Sequence, residues 1–382
     1  MKKFPSFIQI YKKLIQTNSI NSININDDSS NKIIIDILAN WLYDLNFSVE
    51  IQSIPKTNNK FNLLATMGSG PGGLLISGHS DTVNVNTKLW NFDPFQLTIR
   101  DNKFYGLGAV DMKGFFACIL DLLHDLNLKK NTHPLYILIT ADEETTMSGA
   151  KYFSQFTQIK PKIIFIGEPT SLKPIIGHKG HISKSISVQG KSGHSSDPNN
   201  GINSIDIMHL ILNSLFQLRD KLKYMLNQKQ FQIPYSTMNC GYIHGGKSAN
   251  IICDFCTLHI DIRLLPNLSI PQFDDLMFNE LKTIQNTWGQ NIIIKNIHEP
   301  IPSYALSQSS DLLYIVEYLS QKKSEFVNYC TEASFMQYVA PTIILGPGSI
   351  NQAHQPDEYL DMNFIKPTKN IFKKFIQYFC KK

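Results

Sequence analysis

Four short apolar runs in the first half of the chain constrain its fold more than any other feature. They lie at residues 61–67, 74–78, 135–140 and 163–167, and each has the length of a buried strand. A helical apolar pattern at residues 115–126 separates the second run from the third. Because strands that alternate with helices are typical of α/β layers, we predict a mostly parallel sheet flanked by helices.

The pattern changes after about residue 181. A polar alternating segment is followed by a helical pattern at 203–225 and strand-like runs at 240–243, 257–263 and 291–297, which together predict a compact α+β unit. A final strand and helix return to the first layer. We therefore predict a discontinuous catalytic domain, residues 1–180 and 298–382, interrupted by an α+β lid domain of residues 181–297. A chain of 382 residues is long enough for two domains.

Composition excludes several classes of function. The net charge of +5 comes from lysines scattered among Asn and Ile rather than from a dense basic stripe, so we expect no nucleic-acid partner. Six cysteines form no disulfide-like spacing, which fits a reducing compartment. The N-terminal segment lacks the pattern of a signal peptide, and no apolar run reaches the length of a membrane span. The expectation is a cytoplasmic enzyme or binding protein without a membrane partner.

Ionisable side chains follow the predicted strands at the point where each ends. His79 and Asp81 leave the second run on one side, because strand side chains alternate between faces. Glu143 and Glu144 follow the third run, and Glu168 follows the fourth. Carboxylates gathered at one place are costly unless a positive charge lies between them. The carboxyl ends of parallel strands are also where α/β sheets bind ligands.

Asp111 and His354 extend this set. Asp111 lies in the glycine-rich segment YGLGAVDMKG just before the helical pattern, where taken alone it is equally well explained as a helix N-cap. His354 lies in the late segment GPGSINQAHQPDEYL. Since a lone buried histidine is more often a core residue than a ligand, the interpretation depends on the coincidence of the whole set.

The donor types indicate a metal site. Two imidazoles with several carboxylates and no thiolate suit Zn or Co. One carboxylate can bridge two ions about 4 Å apart, so the set predicts two divalent metal ions in a hydrolytic site. Asp81 beside His79 is the arrangement that orients a metal-bound imidazole. Glu143 and Glu144 are adjacent and point to opposite sides, so one can bind metal while the other faces the substrate.

Two further motifs are weak. The segment GSGPGG at residues 68–73 matches a dinucleotide-binding fingerprint, but it leads into a strand rather than a helix, so we predict a hairpin-type turn. The segment CDFC at residues 253–256 has no second cysteine or histidine pair at zinc-finger spacing. Core packing of both cysteines is the better interpretation.

The chain resembles the M20 family of metallopeptidases and deacylases, which use two co-catalytic zinc ions. The segments GHSDTV, GLGAVDMKG, ADEET, IGEPTS and AHQPDE match its signature segments in order across nearly the whole chain. The resemblance implies a lid domain that also forms a homodimer. It further implies that His79, Asp111 and Glu168 bind one ion. Asp111 would bridge to the second ion, which Glu144 and His354 would complete.

The resemblance also implies catalytic roles. Asp81 would orient His79, and Glu143 would act as the general base. In family members the histidine of the segment corresponding to SGHSS crosses from the lid of the partner subunit to the reaction centre, and His194 stands at that position. The alternative for His194 is an ordinary polar loop residue.

Substrate-binding residues are expected in the lid and in the segment NYCTEASF. Asn250 and Arg263 match lid residues that bind the α-carboxylate of the substrate in relatives, a task for which the planar guanidinium group is suited. A structural ion pair with a neighbouring acid is the alternative for Arg263. We interpret Glu332 as a candidate partner for a substrate amine, with a surface acid or a helix N-terminal charge as the alternative.

The implied reaction is the metal-dependent hydrolysis of an amide. The segments KGHIS, SGHSSDPNNGINSI, IHGGKSANII, DIRLLP and NYCTEASF are most similar to family members that deacetylate N-acetylornithine in arginine biosynthesis. The alternatives are N-succinyl-diaminopimelate or a broader range of N-acyl amino acids. A metal-retaining binding protein without turnover is the rival outside the hydrolases, and the presence of Glu143 argues against it.

Overall fold

The chain forms two compact units. A computed structural model describes residues 4–22, 24, 26–128, 131–307 and 311–381. The first unit comprises Met1–Ile176, Leu306–Glu325 and Thr331–Lys382, and the second comprises Gly177–Ala305 and Phe326–Cys330. The second unit begins before the predicted residue 181, continues past the predicted residue 297 and gains a short later segment.

The first part of the chain contains both helices and strands. In order they are α1 (Phe7–Gln16), α2 (Lys32–Asp44), β1 (Ser48–Ser53), β2 (Phe61–Met67), β3 (Leu74–His79), β4 (Thr98–Arg100), β5 (Lys103–Tyr105), α3 (Gly114–Asp125), β6 (Leu135–Thr140), α4 (Ser148–Phe156), β7 (Ile163–Ile166) and β8 (Ile175–His178). The four apolar runs seen in the sequence are β2, β3, β6 and β7, since each buries enough apolar surface to lie inside a sheet.

A second set of elements follows. It consists of β9 (Gly180–Gln189), α5 (Ser204–Met225), β10 (Thr237–Gly245), β11 (Phe255–Leu264), α6 (Ile270–Trp288), β12 (Ile292–Asn296), β13 (Tyr304–Ala305), α7 (Asp311–Ser320), β14 (Glu325–Val327), α8 (Ala333–Met336), β15 (Thr342–Ile344), β16 (Tyr359–Asp361) and α9 (Ile365–Lys381). Among the described residues, no helix combines the length and hydropathy needed to cross a membrane.

The central sheet of the first unit has parallel strands in its middle. Its order is β1-β2-β6-β3-β7-β15, and β15 also bridges to β8. The neighbours β6, β3, β7 and β15 are parallel, whereas β1, β2 and β6 pair antiparallel. The predicted α/β fold, with a largely parallel sheet and a separate α+β unit, is confirmed. The antiparallel strands at the sheet edge were not predicted.

The turn between β2 and β3 differs from the predicted hairpin type. Both strands flank β6 rather than each other, so the GSGPGG segment crosses over a strand. Gly73 has a φ of +79°, and a Cβ there would meet the Pro134 carbonyl oxygen at 1.9 Å. The glycine is therefore needed for a close backbone approach as well as for a left-handed conformation.

The second unit contains an antiparallel sheet of order β10-β11-β9-β12. The apolar sides of α5 and α6 share one core with strands of this sheet, including Ile186, Ile211, Leu258 and Phe273. Cys256 belongs to that core, and Cys253 is buried just before β11. Both thiols are free, so the core-packing interpretation of CDFC agrees with the structure.

A cluster of aromatic rings joins α9 to the central sheet of the first unit. Phe165 of β7 stacks on Phe375 with ring centroids 4.2 Å apart, and Phe372 meets Phe115 of α3 edge-on at 5.2 Å. All four rings are fully buried. Since β7 leads into Glu168, this packing fixes the sheet edge from which that side chain projects.

Removal of one ring tests the contribution of this cluster. We expect Phe375→Ala to lower the free energy of unfolding by about 3–5 kcal/mol, because the ring leaves a cavity in a fully buried site. Urea denaturation followed by circular dichroism measures the change. The exposed neighbour Lys373→Ala is the control and should change stability by less than about 0.5 kcal/mol. Equal effects of the two substitutions would contradict a core role for the ring.

Candidate active site

Three parallel strands bring the predicted ligands to one edge of the sheet. His79 is the last residue of β3, whose neighbours in the sheet are β6 and β7. Glu143 and Glu144 follow the end of β6, and Glu168 follows the end of β7. The carboxyl ends of parallel strands lie at the same edge, so residues distant in sequence converge there.

Asp111 is held in place by a residue that the sequence analysis missed. It lies in the segment Ala109–Lys113 before α3, where the backbone angles of Asp111 and Met112 are not helical and the chain bends. The carboxylate of Glu358 accepts hydrogen bonds from the backbone N–H groups of Gly108 (2.9 Å), Val110 (2.7 Å) and Asp111 (3.0 Å). The Asp111 carboxylate contacts His79 and makes no capping hydrogen bond to α3. The N-cap alternative for Asp111 is therefore wrong.

Asp111 lies between the two imidazoles. Its Oδ1 is 2.9 Å from Nε2 of His79, and its Oδ2 is 3.6 Å from Nε2 of His354. On the other side, His354 Nε2 is 3.0 Å from Oε2 of Glu144, and His79 Nε2 is 3.6 Å from Oε1 of Glu168. The structure thus brings together all five predicted metal ligands, with Asp111 in the central position.

Two triplets of side chains have ligand atoms within 4.8 Å of one another. One is His79, Glu143 and Glu168, and the other is His79, Asp111 and Glu144. These groupings differ from the two ligand sets implied by the family resemblance. Glu143, the predicted general base, belongs to one triplet, and His354, a predicted ligand, belongs to neither. The division of ligands between two ions therefore stays a prediction.

The cluster carries more negative charge than its own cations balance. Burial, followed by repulsion from neighbouring carboxylates, raises the pKa of Glu143 and of Glu168 well above the usual range. Burial opposes protonation of His79, but Glu168 and Asp111 outweigh it and raise the pKa of the imidazole. Glu168 Oε1 is buried and has no hydrogen-bond partner among the described residues. Such a donor set fits divalent cations, which would compensate the buried charge.

Asp81 contacts His79 mainly through its main chain. Nδ1 of His79 is 3.0 Å from the Asp81 carbonyl oxygen but 3.7 Å from the carboxylate Oδ1. Oδ2 of Asp81 instead accepts the backbone N–H of Glu144 at 3.1 Å. The carbonyl fixes the ring orientation, while the carboxylate joins the turn after β3 to the turn after β6.

The remaining predicted residues of the lid belong to the second unit. His194 and Asn250 are exposed there. The backbone N–H of Ser196 donates to Nδ1 of His194 at 3.2 Å, which makes Nδ1 an acceptor and leaves the proton on Nε2 in the neutral ring. Ser248 donates its hydroxyl to Asn250 Oδ1 at 2.6 Å.

Arg263 forms an ion pair with an acid of its own strand. Its Nε and Nη2 donate to the two carboxylate oxygens of Asp261 at 2.9 and 3.2 Å. Asp261 is also 2.7 Å from Nε2 of His181. The structural pair considered as the alternative for Arg263 is therefore present. The pair uses Nε and Nη2 of the guanidinium group, whereas Nη1 makes no hydrogen bond among the described residues.

Glu332 is not a surface acid. It is completely buried at the N-cap position of α8, the helix N-terminal position considered as an alternative, but its side chain makes no capping hydrogen bond. Neither carboxylate oxygen makes a hydrogen bond of ordinary geometry among the described residues. Burial raises its pKa to about 7, an effect that the Thr140 hydroxyl and His79 only partly offset. A carboxyl group in this state would gain strongly from a cationic partner.

Comparison with known proteins identifies close relatives. Residues 75–378 match the model of Peptidase family M20/M25/M40. The chain is 53% identical over 378 residues to an acetylornithine deacetylase of Photorhabdus laumondii, covering 99% of this chain and 98% of the relative. It is 52% identical to an acetylornithine deacetylase of Proteus mirabilis, with the same coverage.

Solved structures share the fold at much lower identity. A tripeptidase from Staphylococcus aureus superposes with a TM-score of 0.77 at 19% identity, covering 97% of each chain. An M20 family metallo-carboxypeptidase from Sulfolobus solfataricus gives 0.75 at 16%, covering 98% of this chain and 99% of its own. The family match, the sequence identity and the shared fold agree, and the chain belongs to peptidase family M20/M25/M40.

Proposed function

We propose that the chain hydrolyses the amide bond of N2-acetyl-L-ornithine, releasing L-ornithine and acetate, as a step of arginine biosynthesis. The observation that carries the proposal is the 52–53% identity, over nearly the full length, to proteins named acetylornithine deacetylase. The cluster of carboxylates and imidazoles at the sheet edge supplies the groups that amide hydrolysis requires.

Two divalent ions, Zn or Co, are the proposed cofactors. His79, Asp111, Glu144, Glu168 and His354 would hold them, with Asp111 shared. When bound, the ions would lower the pKa of water and polarise the amide carbonyl. They would also balance the buried carboxylates, which is the physical reason that such a cluster is tolerated in a folded protein.

Glu143 is the proposed general base. Burial raises the pKa of Glu143, and a raised pKa makes a carboxylate a better proton acceptor. Glu143 would take a proton from the attacking water and return it to the departing nitrogen. The return is essential because an amide anion is a very poor leaving group, whereas the protonated α-amine of ornithine leaves readily.

The second unit is the proposed lid and homodimer-forming domain. His194 would donate its Nε2 proton to the carbonyl oxygen as negative charge develops there, and its local hydrogen bond favours that tautomer. Asn250 and Arg263 would bind the α-carboxylate of the substrate. A cytoplasmic location and a small-molecule substrate complete the proposal.

Glu332 is the proposed partner for the side-chain amine of ornithine. Its burial and its lack of ordinary hydrogen bonds make it a site where an ammonium group would be stabilised. The competing substrates, N-succinyl-diaminopimelate and neutral N-acyl amino acids, would share the metal ligands and differ in what they present to this carboxylate.

A direct assay tests the substrate. Purified protein loaded with zinc or cobalt is incubated with N2-acetylornithine or N-succinyl-diaminopimelate, and free amine is measured with and without a chelator. We expect chelator-sensitive release from acetylornithine alone, because the chain is 52–53% identical to proteins named acetylornithine deacetylase. Release only from the succinyl compound would replace the proposed substrate, and release from neither would favour a binding protein without turnover.

The role of Glu143 is tested by a matched pair of substitutions. We expect Glu143→Gln to lower kcat by about 10²- to 10⁴-fold with bound zinc unchanged, because the amide cannot accept a proton. Glu144→Gln is the comparison and should lower bound zinc, measured by atomic absorption. Loss of zinc from Glu143→Gln would show that Glu143 is a ligand, in line with the His79, Glu143 and Glu168 triplet.

Substrate selectivity tests Glu332. We expect Glu332→Gln to reduce the preference for N2-acetylornithine over N-acetylnorvaline, which lacks the δ-amine, by about 10- to 100-fold in kcat/KM, as loss of a charged hydrogen bond implies. The half-exposed Glu325, paired with Lys173, is the control, and Glu325→Gln should leave the ratio unchanged. An unchanged ratio in Glu332→Gln would exclude the amine-binding role.

A further inference from the structure

A buried chain of hydrogen bonds lies behind the ligand cluster, and we name it the Lys60–Asn21 relay. Nζ of Lys60 donates to Asn21 Oδ1 (3.0 Å), to the Ser29 carbonyl oxygen (2.9 Å) and to the carboxylate of Asp28 (2.5 Å). Lys60 and Asn21 are only 3% and 4% exposed. A buried lysine with three partners is a costly feature that requires an organised site.

The partners fix the orientation of the Asn21 amide. Lys60 can only donate, so the atom facing it must be the oxygen. The Nδ2 group then faces three acceptors, namely Asp81 Oδ2 at 2.9 Å, Asp142 Oδ1 at 2.8 Å and Thr145 Oγ1 at 3.0 Å. A cation donating to the amide oxygen strengthens the donors on the amide nitrogen, so the relay directs positive charge density toward two carboxylates.

Those carboxylates belong to the two turns that carry the reactive groups. Asp81 is two residues after His79, and Asp142 immediately precedes Glu143 and Glu144. Asp142 has a left-handed backbone, with φ of +66°, a conformation that Asp adopts more readily than most other non-glycine residues. The Asn21 amide therefore joins the end of β3 to the end of β6 through two side chains that are not among the predicted metal ligands.

We propose that Asn21 and Lys60 are positioning residues that set the spacing between these two turns and thereby the affinity of the site for metal. The inference rests on the proposed metal-dependent function. Side chains of this kind, which orient ligands without touching the ion, change metal affinity or activity by about 10- to 100-fold when replaced.

The test uses the full-length protein and measures zinc directly. Zinc affinity is determined by competition with a chromogenic chelator for the parent, Asn21→Leu and Asn21→Asp. Asn21→Asp keeps the shape and can pair with Lys60, but it places an acceptor against Asp81 and Asp142. We expect both variants to lose about 10- to 100-fold in zinc affinity. We also expect kcat with N2-acetylornithine to fall while KM stays within about threefold, because neither Asn21 nor Lys60 is among the residues proposed to bind the substrate.

Buried lysines provide a matched control. Lys184 in the second unit is also buried and pairs with Asp274 and Asn296. Lys60→Met and Lys184→Met should both lower stability, but only Lys60→Met should weaken zinc binding. Lys60→Arg, which retains the charge, should restore part of the affinity.

Two outcomes would overturn the proposal. A folded Asn21→Asp variant with zinc affinity within about twofold of the parent would reduce the relay to a structural role. Equal zinc affinities of Lys60→Met and Lys184→Met would do the same. Failure of the parent chain to bind either zinc or cobalt would instead refute the proposed function, so the two failures are distinguishable.

Discussion

The repulsion among carboxylates at one edge of the central sheet is the constraint on which the site depends. Glu143, Glu144 and Glu168 are brought beside Asp111 because three parallel strands end together. Fully hydrated, these groups would separate, and buried together they favour protonation or a cation. The raised pKa values of Glu143 and Glu168 are a result of this burial and repulsion. The aromatic core packed on the sheet and the hydrogen bonds around the turns keep the carboxylates close together despite their repulsion.

Local patterns were sufficient to predict the part of the site formed by strand ends. Three apolar runs of strand length that are followed by ionisable residues made His79, Glu144 and Glu168 visible in the sequence. Periodicity also identified the α/β layer, because buried parallel strands are apolar throughout. The prediction of a hairpin-type turn at residues 68–73 was wrong. Glycines indicate that the backbone can turn, but they do not indicate that β6 lies between β2 and β3 in the sheet.

Supporting residues were missed because their partners are distant in the chain. Glu358 serves a turn that is 247 residues away at Asp111, and Asn21 reaches Asp142 across 121 residues. An isolated Asn or Glu is most often a solvated surface residue, so nothing in its neighbourhood distinguishes these two. Helix α6 was missed for a different reason, since its buried face is only a narrow stripe within a polar segment.

The hydrogen bonds that Glu358 accepts have a consequence for the order in which the site is assembled. Glu358 organises the turn that holds Asp111, and His354 lies beside Asp111 and Glu144. Both residues follow β15, a strand that pairs with β7 inside the central sheet. Chains fold progressively from the N-terminus during synthesis. Neither the full sheet nor the cluster around Asp111 can therefore be complete until residues 342–358 have left the ribosome. A chain that stops before residue 342 would lack an inner strand of the sheet and two of the residues that organise the cluster.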